Sequence, residues 1–147
     1  MYVIKEFQRL KIQESEQLEW HGKRMLTKLN YLIHTDAIKE HLLPIKLTNE
    51  QKNYIYASEA DILNVALFGK SAKEWHDENP SKKSNIRDYA STIELAILSN
   101  IEFQNAKLIE QGLNKKERLL LLNEEANREK ELFNKNKEKA IYKLENK

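Results

Sequence analysis

The sequence predicts an all-α protein, a mostly orthogonal helical domain with long N-terminal and C-terminal helices. The 147 residues include only three Gly and two Pro, whereas average usage gives about ten Gly and about seven Pro in a chain of this length. Val and Thr together number only six, which is few for a β-sheet. Apolar residues recur every three or four positions, as on one face of an α-helix. Because sandwiches and barrels need many strands and turns, a small number of long helices is what remains.

The first predicted helix covers residues 3–33 and carries two apolar stripes at helical spacing. One stripe consists of Ile4, Phe7 and Leu10, and the other of Leu18, Met25, Leu29 and Leu32. Gly22 lies on the second stripe with no stop signal around it. Since a Gly inside a helix costs about 1 kcal/mol relative to Ala, we expect the closest approach to a neighbour or a second copy at Gly22. Leu18, Gly22, Met25, Leu29 and Leu32 are therefore the candidate residues for helix–helix association.

Local start and stop signals then divide residues 34–57. The pair Thr35-Asp36 predicts the start of a short helix over 37–43, which ends before Pro44 because the residue before a proline disfavours helical geometry. Thr48 and Gln51 have the spacing of a capping box, which predicts another helix start. That helix runs into residues 54–56, which could also form a short extended piece.

The pattern in the centre of the chain predicts a helix, a turn and a second helix. Ser58 predicts the start of a central helix that is apolar nearly all round, and Gly69 predicts its end. Ser71 is followed three residues later by a Glu, which predicts a second, short helix over 72–78. Residues 81–85 are the most loop-like stretch of the sequence.

Two long helices complete the prediction. Ser91 opens a helix that runs to about residue 111 and is closed by Gly112. Asn114 opens the last helix, which extends to about residue 144, although its apolar stripe thins after Phe133. We expect helices 58–68 and 91–111 to form the core. The predicted organisation is an N-terminal helix over 1–34, a core domain over 35–133, and a frayed or partner-dependent extension over 134–147.

The composition limits the chemistry. The absence of Cys excludes disulfides, thiolate metal sites and cysteine nucleophiles together. His34, Asp36 and His41 are close in sequence, but metal sites on helices normally use i,i+4 pairs with a third ligand, so we interpret them as surface or packing residues. No nucleophile motif or Gly-rich phosphate loop is present in the sequence. We therefore expect no catalytic residues, no metal and no cofactor, and a protein that is not an enzyme.

Nucleic-acid binding has one candidate unit, residues 59–78, whose helix, Gly turn and helix have the outline of a helix-turn-helix. The candidate contacts to nucleic acid are Lys70, Lys73, Lys82, Lys83 and Arg87. The second helix of this unit is a poor reading helix, because it offers one Lys against three carboxylates, and carboxylates repel a phosphate backbone. The net charge of +2, with acidic and basic residues interleaved, adds little support.

Several segments, in order, resemble the region that follows the KilA-N domain in bacterial and phage KilA-N proteins. The longest are NYLIHTDAIK at 30–39 and YASEADILNVALFG at 56–69, and shorter ones lie at 4–11, 71–75, 85–90 and 105–106. The resemblance covers about two-thirds of the chain. It implies that residues 1–11 resemble the end of the KilA-N domain, whose remainder is missing here. In that family DNA binding is attributed to the missing domain, so the resemblance assigns no DNA-binding or catalytic residue to this chain.

These observations leave three function hypotheses. The first is a non-enzymatic binding or oligomerisation module, the C-terminal domain of a KilA-N-type phage or prophage DNA-binding protein, whose partner is itself or another protein. The second is direct nucleic-acid binding through residues 59–78. The third is a stand-alone phage effector that inhibits a host defence complex by protein–protein contact. All three place the protein in the cytoplasm of a bacterial or phage-infected cell. The sequence has no apolar run of about 18 residues that would indicate a membrane span, and its charged N-terminus is unlike a signal peptide.

Overall fold

The structure, a computed structural model, describes residues 2–44 and 46–145, without the side chains of residues 2–4, 18–20, 23, 140, 141 and 144. The regular elements in these ranges are all helical. They are α1 (Tyr2–His41), α2 (Asn49–Phe68), α3 (Ala72–Glu78), a 3₁₀-helix (Ile86–Tyr89), α4 (Thr92–Glu110) and α5 (Lys115–Glu145). The predicted all-α class is confirmed. None of the described helices is apolar enough over a sufficient length to span a membrane.

Local caps set most helix ends where the sequence predicted them. The Thr48 hydroxyl accepts from Gln51 N–H at the start of α2, and the Gln51 side chain accepts in return from Thr48 N–H. Gly69 ends α2 with a φ of 75°, a conformation that costs residues with a Cβ roughly 1–2 kcal/mol. The Ser71 and Ser91 hydroxyls cap α3 and α4. These side chains and the Gly turn satisfy N–H and C=O groups that every helix end leaves open.

Two predicted helix starts are wrong. Helix α1 continues through Thr35-Asp36 to His41, and the Thr35 hydroxyl donates back to Leu32 C=O at 3.0 Å instead of capping a new helix. Helix α2 continues through Ser58, so residues 54–56 are helical as well. The central helix is therefore 20 residues long, and α1, at 40 residues, is about 60 Å long at 1.5 Å per residue.

The core lies between α2, α4 and α5. Helix α2 contributes Leu63, Ala66 and Leu67, α4 contributes Ile97, Leu98 and Ile101, and α5 contributes Leu122 and Ala126. The prediction of a core from segments 58–68 and 91–111 is confirmed, and α5 completes it. A second cluster joins the C-terminal part of α1 to α4 through Ala37, Ile38, Ala106 and Ile109. The C-terminal third of α1 thus belongs to the folded body.

The two long helices extend beyond this body. On α1, the described side chains before Asn30 are exposed apart from Glu6, which is half-buried. On α5, every described side chain after Lys130 is exposed. The segment from 134 onward, predicted as a helical extension, is helical to Glu145.

The expected role of Gly22 is wrong for contacts within the chain. Gly22 is exposed, and a Cβ built on it would meet nothing within 4 Å. Within the described part of the chain, no neighbouring helix therefore requires a glycine at this position. The approach of a second copy at Gly22 stays a prediction.

Candidate functional site

A buried polar network connects four helices beneath the surface of the fold. Its members are His34 from α1, Glu59 from α2, Asn105 from α4 and Arg118 from α5, and none is more than 4% exposed. The Arg118 guanidinium donates to both carboxylate oxygens of Glu59, with Nη2 3.0 Å from Oε1. Its Nη1 also donates to Asn105 Oδ1 at 3.0 Å and its Nε to Leu113 C=O at 3.1 Å. The buried charges are thus paired and hydrogen-bonded, as buried ions must be.

The orientation of the Asn105 side-chain amide determines the tautomer of His34. Because its Oδ1 accepts from Arg118, its Nδ2 is the donor, and it donates to Glu59 Oε2 at 3.2 Å. The same Nδ2 lies 2.8 Å from His34 Nε2, which must therefore accept. A neutral imidazole that accepts at Nε2 carries its proton on Nδ1. The pKa of His34 is lowered to about 4, mainly because burial disfavours the charged form; Glu59 opposes this shift, and Arg87 and Arg118 add to it.

The network lies outside the predicted site residues, although the sequence contains a signal for it. Glu59 precedes Leu63 by four positions, and Arg118 precedes Leu122 by four, so each charged residue continues a buried apolar stripe. His34, one of the predicted surface or packing residues, packs in this network, whereas Asp36 and His41 are exposed. In the described ranges, no group of three or more His, Asp or Glu side chains could hold a metal ion.

Arg87, a candidate nucleic-acid contact, is largely engaged within the fold. Its Nε donates to Asn64 Oδ1 at 3.1 Å and its Nη2 to Ala60 C=O at 3.3 Å. Its Nη1 lies 3.6 Å from Glu102 Oε1. Glu102 is 5% exposed, and burial raises its pKa to about 7 although Arg87 opposes this. Arg87 therefore fixes the 3₁₀-helix against α2 and α4.

The four candidate lysines differ in their surroundings. Lys70 forms an ion pair with Glu78, and the Lys82 ammonium lies 4.4 Å from the centre of the Tyr89 ring. Lys73 and Lys83 are exposed. The structure thus engages Lys70, Lys82 and Arg87 in contacts within the chain and does not gather the five cations into one exposed cluster.

Trp75 explains the position of α3. It is buried and packs against Tyr89 of the 3₁₀-helix, with ring centres 5.3 Å apart. Trp75 therefore anchors α3 against the 3₁₀-helix. On the outer side of α3, Lys73, Glu74, Asp77 and Glu78 are all exposed, so carboxylates outnumber the lysine on the surface that would face a duplex.

The outer face of α1 carries a group of exposed apolar side chains that follows one helix stripe. We define it by five side chains that are exposed by 40–65%: Met25, Leu26, Leu29, Leu32 and Ile33. Gly22 continues this face, and the side chain of Leu18 lies outside the described part of the structure. Contiguous exposed apolar side chains are typical of protein contact surfaces. The predicted association residues Met25, Leu29 and Leu32 thus lie on one exposed surface with Gly22.

Comparison with known proteins gives no match: no family model, no curated protein and no solved structure matches this chain. The resemblance to KilA-N proteins rests on the segments quoted above and stays a prediction.

Proposed function

We propose that this protein is a non-enzymatic association module that pairs with a second copy of itself through the outer face of α1. The observation that carries the proposal is the exposure of five apolar side chains in the nine residues from Met25 to Ile33. Burial of such side chains against a partner stabilises a complex by roughly 25 cal/mol per Å² of apolar surface removed from water. A monomer would keep all five in contact with water.

The body of the protein holds this face outward. On the inner side of α1, Asn30 Nδ2 donates to Ser99 Oγ at 2.8 Å and to Ser99 C=O at 3.1 Å. His34 joins the buried network, and Ala37 and Ile38 are buried against α4. These contacts fix the rotation of α1 about its axis, so Met25, Leu29 and Leu32 cannot turn inward without breaking them.

The order of residues along the stripe is compatible with an antiparallel pair. Lys11 and Glu14 precede the apolar part and Asp36 and Glu40 follow it, all exposed. Two-fold symmetry would place the apolar centre against itself and each polar end against the opposite one. In the register that sets Leu29 against Gly22 of a second copy, Lys11 faces Glu40. Gly22 would then provide the space that Leu29 fills.

The double variant Met25→Glu/Leu29→Glu is expected to be monomeric. Four carboxylates would have to be desolvated at the centre of the pair, so we expect the dissociation constant to rise at least about a hundredfold, or roughly 2.7 kcal/mol. Sedimentation velocity over a concentration series measures this. The control is Leu120→Glu/Leu121→Glu on α5, because Leu120 and Leu121 are 61% and 43% exposed while Met25 and Leu29 are 65% and 47% exposed.

The control should sediment like the unmodified protein. A strictly monomeric unmodified protein at the highest concentration, or a dimeric Met25→Glu/Leu29→Glu variant, contradicts the proposal. Gly22→Leu is the finer test. The monomer has open space at Gly22, so a dimer weakened without loss of monomer stability supports close approach there, and an unchanged dimer rejects this register.

The resemblance to KilA-N proteins extends this proposal to a wider context. On that resemblance we propose that the module serves as the C-terminal domain of a KilA-N-type phage or prophage protein, where pairing would bring two DNA-binding domains together. A reading frame that continues upstream into a KilA-N domain supports this role. A short frame among other small phage genes favours instead an effector that acts on a host complex.

Nucleic-acid binding through residues 59–78 stays a prediction with less support. Three of its five candidate cations have partners within the chain, and the exposed surface of α3 is mainly acidic. Gel shifts with random duplex DNA over a salt series test it, because phosphate contacts strengthen as salt falls.

A further inference from the structure

A cavity of about 460 Å³ lies where α1, α2, α4 and the 3₁₀-helix meet. Its volume is in the range of small-molecule sites, which are mostly apolar and use a few polar groups to orient what they bind. The apolar and aromatic part of the lining comes from α1 and α2 and consists of Tyr31, Ile38, Tyr56, Ala60 and Leu63. Its described lining includes no residue of the outer face of α1, so this cavity is separate from the surface proposed for self-association.

His34 provides this cavity with a hydrogen-bond donor. The residue is 4% exposed and lines the cavity from α1. Its Nε2 accepts from Asn105 Nδ2 at 2.8 Å, so the proton of the neutral imidazole is on Nδ1. Among the described residues, no group accepts a hydrogen bond from this Nδ1–H. Because a buried donor without an acceptor costs free energy, an acceptor placed in the cavity would stabilise the protein.

Glu102 provides the same cavity with an acceptor. It is 5% exposed and lines the cavity from α4. Arg87 Nη1 lies 3.6 Å from its Oε1, which is beyond hydrogen-bond distance, and no described group of the chain donates a hydrogen bond to its carboxylate. Arg87 is held by the fold, because it donates to Asn64 Oδ1 and Ala60 C=O. The Glu102 carboxylate can therefore accept from a donor that enters the cavity.

The donor and the acceptor are neighbours along the contact between α1 and α4. Asn30 of α1 donates to Ser99 of α4. About one helical turn later on α1, His34 bonds Asn105. Glu102 lies midway between Ser99 and Asn105 in the sequence, so it occupies the turn of α4 that faces His34. A molecule in the cavity thus meets a donor from α1 and an acceptor from α4 at adjoining positions.

The charges at the cavity favour a neutral molecule. An anion would meet the Glu102 carboxylate, and a cation would meet the Arg87 guanidinium, which keeps its positive charge although its N–H groups are engaged. An amide is neutral and carries an acceptor and a donor on adjacent groups, its C=O and its N–H. A hydroxyl group accepts and donates through a single oxygen, which would have to reach both side chains at once.

We propose that this cavity binds a small neutral molecule that carries an amide group on a flat apolar ring. The amide C=O accepts from His34 Nδ1–H, and the amide N–H donates to the Glu102 carboxylate. The ring packs on the apolar lining, where the side chains of Tyr31 and Tyr56 provide aromatic surfaces suited to another flat ring. Each of the two buried polar side chains thereby gains the hydrogen-bond partner that the described chain does not supply.

Benzamide is the probe, and its binding to the full chain is measured by ligand-observed NMR titration. We expect saturable binding. N,N-dimethylbenzamide has no N–H and is expected to bind at least about tenfold more weakly, because the Glu102 carboxylate stays without a donor. Benzyl alcohol keeps the ring but has one oxygen for both side chains, and benzoate replaces the amide by an anion. Both are expected to bind more weakly than benzamide.

Two variants locate the site. Ala60→Leu fills part of the cavity and should abolish binding of benzamide, whereas its control Ala57→Leu, at an exposed position of the same helix, should not. Glu102→Met removes the acceptor and should make benzamide and N,N-dimethylbenzamide bind with equal affinity. Circular dichroism checks the folding of each variant.

Three results overturn the proposal: no saturable binding of benzamide, binding of N,N-dimethylbenzamide or benzyl alcohol as tight as that of benzamide, or unchanged binding by a folded Ala60→Leu variant. If Ala60→Leu does not fold, the comparison of the four probes on the unmodified protein still decides the matter. Self-association is measured separately with Met25→Glu/Leu29→Glu, so each proposal can fail without the other.

Discussion

Replacement of Arg118 by methionine is expected to lower the free energy of unfolding by about 3–5 kcal/mol, the usual cost of removing one partner of a buried ion pair. The variant leaves the Glu59 carboxylate, which is fully buried, without the guanidinium that donates to both of its oxygens. It also removes the donor to Asn105 Oδ1. Urea unfolding followed by circular dichroism measures the change.

Two further variants make this result interpretable. Glu59→Met/Arg118→Met removes both charges, and we expect it to recover most of the lost stability, because apolar pairs of similar volume often replace buried ion pairs without loss. Lys70→Met breaks an ion pair at the surface and should change stability by no more than about 1 kcal/mol. A loss below about 1 kcal/mol in Arg118→Met would show that Glu59 finds other compensation and would contradict the role given to the network.

Glu102→Gln and His34→Gln are expected to change the pH dependence of stability in opposite directions. The pKa of Glu102 is raised from 4.5 to about 7 in the folded state, so the folded protein binds the proton more tightly and ionisation costs stability as pH rises from 4.5 to 7. The pKa of His34 is lowered from 6.5 to about 4. The unfolded chain then binds the proton more tightly, and stability is lost as pH falls from 6.5 to 4.

The size of both effects follows from converting the pKa difference between the folded and unfolded states into free energy. Each gap corresponds to roughly 3 kcal/mol, at about 1.4 kcal/mol per pKa unit. As pH rises from 4 to 8, the free energy of unfolding of Glu102→Gln should increase relative to that of the unmodified protein. For His34→Gln, this relative free energy of unfolding should increase as pH falls from 8 to 4. In the unmodified protein the two contributions oppose each other between pH 4.5 and 6.5. Urea unfolding at a series of pH values measures the slopes, and two curves that run parallel to that of the unmodified protein would contradict the assignment.

Helix ends were predicted correctly where the capping contact lies within a few residues of the cap, and incorrectly where the side chain bonds elsewhere. Thr48, Gly69, Ser71 and Ser91 act on groups within four residues, so their pattern is visible in one sequence. Thr35 and Ser58 have the same residue types and failed as predictors, because each hydroxyl bonds elsewhere. Thr35 donates back to Leu32 C=O, and Ser58 accepts from Lys115, a contact across 57 positions that no local pattern contains.

The candidate site was predicted in part for a related reason. The stripe of Met25, Leu29 and Leu32 is visible as a periodic pattern, and its exposure follows from which face of α1 packs on α4. The partners of Glu59 and Arg87 come from other helices, so a single sequence does not give them. A charged residue in register with a buried apolar stripe, as Glu59 is with Leu63, would have indicated a buried pair without identifying Arg118.

The buried network also determines when the growing chain can complete its fold during synthesis. Its members stand at positions 34, 59, 105 and 118, so the negative charge of Glu59 acquires its counter-ion only after a further 59 residues have been synthesised. Until then the nascent chain has a carboxylate in the middle of its central helix and no cation to accompany it into the interior. Completion of the fold is thereby postponed to the last helix, while residues after Lys130, whose described side chains are all exposed, add nothing to this step.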